Sequence, residues 1–314
     1  MKKQVLAIHD VSCVGRCSLT VALPIISAAG IECSVLPTAV LSTHTGGFTG
    51  FTYRDLTEDI QPIKEHWKSL GLEFSAVYTG FLGSEEQVDL VIDLVDTVAP
   101  NGKVYVDPVM GDKGSLYPVF GPGFPKTMRR LCERADLIMP NMTELTGMLG
   151  LEFQERPYTR EYVRSILEKS SVLAPRIVIT GVGFSEGEVG AVYFDHVTGE
   201  YGEVLRPEIP GYYHGTGDVF GSALVGAIES GVPLGKAVEM AVDLTVSSIS
   251  LTHSSGADVR YGVDFEPGLY AYAADIRSKR GPHIVRAVSD DDLRIISSMA
   301  STTWKDAYDD IIGR

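Results

Sequence analysis

The chain has 314 residues, 44% of them hydrophobic and 22% charged, with a formal net charge of −14. That composition suits a globular protein with a full core and argues against a nucleic-acid or anionic-membrane surface, where a basic patch is expected. No run approaches the ~18 apolar residues of a membrane span. The opening MKKQVLAI is too short for a secretory leader, so a cytoplasmic protein is expected.

In chain order, short β-branched runs alternate with helically spaced segments. Strands are predicted at 4–8, 34–40, 75–79, 103–106, 137–139, 176–180 and 190–194, and helices at 19–29, 85–97, 126–134, 143–149, 160–169, 218–229 and 234–251. Such alternation implies an α/β fold with a largely parallel sheet covered on both faces. The Thr/Gly-rich stretch 42–53 and the Gly/Pro-rich stretch 111–125 read as loops of the kind that serve as lids. The cysteines at 13, 17, 33 and 132 form no CxxC or Cys/His cluster, so neither a structural zinc site nor a disulfide framework is expected.

Polar residues recur where the apolar runs stop: His9-Asp10, Thr79-Gly80-Phe81, Asp107-Pro108, Pro140-Asn141 and Thr180-Gly181. Open α/β sheets bind ligands at the carboxyl ends of their strands, so five such ends in one chain point to a site.

The stretch HGTGDVFGSALVGAI (214–228) supplies a second signal. Val219, Ala223 and Ala227 repeat at i,i+4, and Gly231 and Pro233 mark the helix end. At its head, Gly215 and Gly217 allow backbone conformations closed to other residues. The N–H groups of Gly215, Thr216, Gly217 and Asp218 are then free to converge on an anion at a helix N-terminus. Asp218 there is either a cap or a base. Neither a dinucleotide fingerprint nor a Walker A loop is present: GVGFSEG (181–187) and GVPLGKA (231–237) both have the wrong spacing.

GTGD before a long helix resembles the signature of the ribokinase-like small-molecule kinases. LAIHD (6–10), STHTG (42–46), YTGFLG (78–83), VDPVMGD (106–112) and MPNMTE (139–144) are similar to motifs of the pyridoxal/pyridoxine/pyridoxamine kinases, in the same order. The resemblance implies a ribokinase-like three-layer α/β/α sandwich with a mostly parallel central sheet. It also implies ATP-dependent phosphorylation of the 5′-hydroxymethyl of a vitamin B6 vitamer, with ATP, Mg²⁺ and an added monovalent cation as cofactors. It makes Asp218 the general base and Gly215, Thr216 and Gly217 the anion hole. Asp107, Asn141, Glu144, Thr180 and Lys113 fall on the nucleotide side, with Asp107 and Glu144 near the metal. Asp10, Ser12, His44, Thr45 and Phe81 fall on the vitamin side. Residues 111–118 match a flap, and a homodimer is implied.

Many pyridoxal kinases carry serine where this chain has Asp10, and an acid there suits a protonated ring nitrogen or an amine. HDVSxxG (9–15) is also similar to the hydroxymethylpyrimidine kinases of thiamin synthesis, the alternative reading. A non-catalytic nucleotide or vitamin sensor is a third, disfavoured because Asp218, the glycines and Glu144 are all present. His44 reads as catalytic or, in preference, as a loop histidine bonded to backbone, and His214 receives no role beyond lining the pocket. Residues 1–280 are expected to form the kinase domain. Residues 281–314 read as an extra strand and helix, or as the start of a truncated fusion similar to GNAT-type acetyltransferases.

Overall fold

A computed structural model describes residues 3–280 together with Arg294, Ser297 and Ser298. The expected strand and helix at 281–314 lie outside the described residues.

The first strand, β1 (Gln4–Ser12), runs through the middle of the main sheet. Val5, Leu6, Ala7 and Ile8 are fully buried because both sides of the strand meet helices, as a continuous apolar run in a parallel sheet requires. After β1 the chain forms α1 (Leu19–Ala28), β2 (Glu32–Leu41), β3 (Tyr53–Asp55), α2 (Thr57–Ser69), β4 (Ala76–Thr79), α3 (Glu85–Val98) and β5 (Lys103–Val106). A small hairpin, β6 (Gly111–Asp112) with β7 (Ser115–Leu116), precedes α4 (Phe124–Cys132), β8 (Leu137–Ile138), α5 (Met142–Leu149) and α6 (Arg160–Lys169). The rest is β9 (Arg176–Val182), β10 (Glu188–Asp195), β11 (Tyr201–Pro207), α7 (Thr216–Glu229), α8 (Leu234–Ser255) and α9 (Leu269–Arg280).

Among the described residues the main sheet orders its strands β11-β10-β9-β8-β5-β4-β1-β2-β3. Strands β2, β1, β4, β5, β8 and β9 are mutually parallel, while β3, β10 and β11 add antiparallel edges. Leu6 and Ile8 face a core shared with α2 through α6, and Val5 and Ala7 face one shared with α1, α7, α8 and α9. This is the expected three-layer sandwich. Leu224 of α7 is fully buried in the second core, and truncating such a side chain to alanine costs about 2–5 kcal/mol. Among the described residues no helix is long and apolar enough to cross a membrane.

The strands and helices predicted up to residue 251 are all present, with shifted ends, but several elements were not predicted. Strand β11 is half-buried along nearly its whole length, so neither face carries a clean apolar alternation. Helix α2 contains Pro62 and packs mainly through Ile60, which blunts its helical period. Strand β3 and the β6–β7 hairpin lie inside stretches whose glycines read as loop, and α9 also went unpredicted.

Candidate active site

Thr180 on β9, Asn141 after β8, Asp107 after β5, Phe81 after β4 and Asp10 on β1 follow one another across five adjacent strands. At ~4.8 Å per strand the row spans roughly 20 Å, room for a nucleotide and a small acceptor end to end. β1 lies between β2 and β4, so the chain leaves it in both directions and a crevice opens at its carboxyl end.

The GTGD turn closes over this row. Gly215 caps α7 in the left-handed region, at φ 75°, and a Cβ there would stand 2.1 Å from the Arg16 carbonyl oxygen. Only glycine fits. No side chain caps α7, so its first-turn N–H groups stay available for an anion. Asp218 is the third helical residue, and a Cβ on Gly217 would lie 3.9 Å from Asp107 Oδ2, which places Asp107 directly beside the turn.

Four carboxyl groups share this region. Burial pushes the Asp218 carboxyl up to about 7, aided by nearby Asp10 and opposed by the main-chain N–H of Ser18. Asp10 is buried and also raised, mainly by desolvation, although Ser18 Oγ (2.6 Å) and Ser12 Oγ (3.1 Å) both donate to it. Asp107 is raised by burial and by the charges of Glu144 and Asp218; among the described residues no group donates a hydrogen bond to its carboxylate. Glu144 is raised by burial, yet its oxygens are committed. Oε1 accepts from Met110 N (3.0 Å) and Oε2 from Asn141 N (2.9 Å), while Asn141 Oδ1 accepts from Glu144 N (3.0 Å) in a capping box at the head of α5.

A hard cation fits here. Asp107 offers an uncommitted carboxylate whose pKa burial and the charges of Glu144 and Asp218 raise, and a divalent charge would relieve that. Among the described residues no cluster of three His, Cys, Asp or Glu could hold a metal by itself. That donor set matches Mg²⁺, which keeps waters and takes phosphate oxygens alongside one or two carboxylates.

The stretch expected to form a flap, residues 111–118, contains the β6–β7 hairpin. Asn141 Nδ2 donates to the Gly111 carbonyl at 2.8 Å and Gly114 N donates to Thr143 Oγ1 at 2.9 Å, so the head of α5 anchors the β6 strand and the turn of the hairpin. Lys113, at its exposed tip with φ 50°, places Nζ 4.7 Å from the centroid of the Tyr212 ring. The flap tip thus reaches the loop that leads into GTGD.

On the acceptor side the expected residues divide. Ser12 orients Asp10. Phe81 is half-buried, with its ring 5.6 Å from Phe120, which itself stacks on Phe124. Thr45 is exposed on the loop between β2 and β3. His44 is buried with both ring nitrogens engaged by main chain: Nδ1 accepts from Gly46 N, so Nε2 carries the proton to the Arg260 carbonyl. Its ring lies 5.1 Å from His214, which also meets Tyr212 edge-on at 5.0 Å. His214 therefore braces two loops of the site.

Sequence reasoning missed two features. Ser18 contacts Asp10 and faces Asp218, yet a serine before an apolar run reads as an ordinary helix cap. Beneath α7, His9 Nδ1 and Nε2, Tyr78 Oη and Ser222 Oγ are buried without a hydrogen-bond partner among the described residues. The Tyr78 and Ser222 hydroxyls are neighbours without bonding geometry, and the His9 and Tyr78 rings meet at 4.5 Å. Burial lowers His9 to about 3, so it is neutral.

Comparison with known proteins agrees with this fold. The phosphomethylpyrimidine kinase family model matches residues 23–262. A crystal structure from Bacteroides thetaiotaomicron, provisionally assigned as a phosphomethylpyrimidine kinase and solved with pyridoxal, superposes with a TM-score of 0.81 at 36% identity, over 87% of this chain and 96% of its own. Pyridoxal kinase from Lactobacillus plantarum gives 0.80 at 29% identity, over 90% and 99%. Pyridoxal kinase PdxY of Rubrobacter xylanophilus is 30% identical over 70% of this chain and 76% of its own length. The chain therefore belongs to the phosphomethylpyrimidine kinase family, as a ribokinase-like small-molecule kinase of the pyridoxal kinase type.

Proposed function

We propose that this kinase transfers the γ-phosphoryl group of ATP to the 5′-hydroxymethyl oxygen of a vitamin B6 vitamer: pyridoxal, pyridoxine or pyridoxamine. The observation that carries the reading is Asp218, buried in the uncapped first turn of α7, whose pKa is raised to about 7 by burial together with the Asp10 carboxylate beside it. A base with that pKa is half-ionised at neutral pH and strong enough to take a hydroxyl proton.

In this reading Asp218 accepts the proton as the hydroxymethyl oxygen bonds to the γ-phosphorus. The bond from that phosphorus to the β–γ bridging oxygen breaks, and ADP leaves. First-turn N–H groups of Gly215, Thr216 and Gly217 receive the charge on the transferring group. Mg²⁺ held by Asp107, with Glu144 behind it, supplies charge neutralisation on the phosphates when bound. Thr180 and Asn141 face the nucleotide, and Lys113 closes over it from the flap tip. Asp10, fixed by Ser12, meets the ring nitrogen or amine, and Phe81 walls the ring. His44 shapes the loop that carries Thr45 through its two main-chain bonds.

Asp218→Asn tests the reading: nucleotide affinity persists while turnover falls by at least about a hundredfold. Unchanged turnover removes Asp218 as the base.

The family match over residues 23–262 favours one second reading, a hydroxymethylpyrimidine acceptor, which has a similar aromatic hydroxymethyl. The same residues then act unchanged. We further propose a homodimer that covers the exposed Val35 and Tyr53 at the β2–β3 edge; a monomer mass in sedimentation contradicts it.

A further inference from the structure

Ser18 stands at the head of α1 in a backbone conformation that side-chain-bearing residues rarely adopt, φ 54° and ψ −129°. A serine at a helix N-cap normally turns its hydroxyl back to accept an N–H of its own first turn. Here it makes no such cap. Its Oγ instead donates to Asp10 Oδ1 at 2.6 Å, in a site where Ser18 is only 7% exposed. Its carbonyl still accepts from Val21 N (3.0 Å) and Ala22 N (2.9 Å), so the helix begins normally beyond it. Its own N–H lies close to the Asp218 carboxylate.

The residues just before it support the same region. The Arg16 carbonyl fills the space that a Cβ on Gly215 would need, and Cys17 Sγ lies 3.7 Å from that position. Segment 16–18 is therefore wedged between the GTGD turn and Asp10. Ser18 has both given up its cap and accepted a strained backbone, and strain of this kind persists only where the surroundings over-determine it, most often at functional sites.

We propose that Ser18 is a positioning residue that fixes Asp10 and the GTGD turn carrying Asp218 relative to each other, its hydroxyl holding the first and the backbone of segment 16–18 packing against the second. The proposal rests on the functional reading above, in which Asp218 takes the proton and Asp10 meets the acceptor ring. The two contacts are separable because one belongs to the side chain and the other to the backbone. Alanine removes the hydroxyl and keeps the strained N–H. Glycine removes the hydroxyl and frees the peptide.

The test is steady-state kinetics and thermal unfolding of the full chain as wild type, Ser18→Ala and Ser18→Gly, with Mg-ATP and each vitamer. Ser18→Ala raises KM for the vitamer about 10-fold, leaves kcat within about 3-fold and leaves KM for ATP unchanged. Ser18→Gly shows the same rise in KM, melts at least about 2 °C above Ser18→Ala because the strain is relieved, and has a kcat at least about 3-fold lower than Ser18→Ala. A merely structural serine has kcat following stability; here the two move in opposite directions. An active wild type with an unchanged vitamer KM in Ser18→Ala, or a Ser18→Gly variant at least as fast as Ser18→Ala, overturns this proposal alone. A wild type inactive on every vitamer overturns the functional reading and this proposal together.

Discussion

Glu144 Oε1 accepts the main-chain N–H of Met110 at 3.0 Å, tying the first turn of α5 to the chain that rises into the flap. The other oxygen accepts Asn141 N, so one buried carboxylate holds the head of α5 and the chain before β6 together. Glu144→Ala leaves both N–H groups without this acceptor and lowers stability by about 2–4 kcal/mol. KM for ATP rises as the flap loses its anchor. Urea unfolding beside ATP titration of the rate checks both, and an unchanged unfolding midpoint contradicts the anchoring role.

The raised pKa of Asp218 has a kinetic and a stability consequence of definite sign. In its proposed role as the base Asp218 must be ionised, so kcat/KM rises with pH through about 7 and levels off above it. Its folded-state pKa lies above the unfolded value near 3.8, so its contribution to stability is fully present below 3.8 and is lost as pH rises through about 7. Asp218→Asn removes a group whose ionised form is disfavoured in the fold. The variant therefore gains about 1–4 kcal/mol relative to wild type at pH 8, less at pH 5, while turnover collapses. Melting curves at both pH values decide it; a variant less stable than wild type at pH 8 contradicts the assignment.

Gly215→Ala places a Cβ against the Arg16 carbonyl and forces φ 75° on a residue that disfavours it. The expected loss is about 2 kcal/mol or more, with turnover down at least about tenfold because the first-turn N–H groups lose their aim. Gly231, whose added Cβ would meet nothing within 4 Å, is the control: at φ 92° its alanine variant suffers backbone strain alone and keeps full turnover per folded molecule.

Buried polar atoms in folded proteins are nearly always partnered, so the group formed by His9, Tyr78 and Ser222 is expected to hold ordered water. Tyr78→Phe then costs about 1 kcal/mol, because it takes one partner from that water. If the region is dry, removing the orphaned hydroxyl stabilises the protein, and that result contradicts internal hydration. Chemical unfolding of the variant at neutral pH separates the two.

What the sequence made legible follows from how locally each feature is encoded. The strand ends could be read because each apolar run of the parallel sheet stops at a polar residue, as at Ile8 before His9-Asp10. GTGD could be read because two glycines before an apolar i,i+4 run have few local explanations. Ser18 could not, since its φ is set by packing of segment 16–18 against Gly215, more than 190 residues away in the chain. The His9–Tyr78–Ser222 group joins β1, β4 and α7, so no window of sequence contains it. Strand β11 stayed hidden because its half-buried residues alternate too weakly, and the backbone bonds of His44 depend on Arg260 coming near.

The most direct measurement incubates the full chain with Mg-ATP and, separately, pyridoxal, pyridoxine, pyridoxamine and 4-amino-5-hydroxymethyl-2-methylpyrimidine, identifying each product by mass with Asp218→Asn in parallel. Wild type is expected to yield a 5′-phosphorylated pyridine vitamer with stoichiometric ADP, and the variant to lose that product. Phosphorylation of the pyrimidine alone, or ATP consumption with no phosphorylated vitamer, contradicts the proposed function.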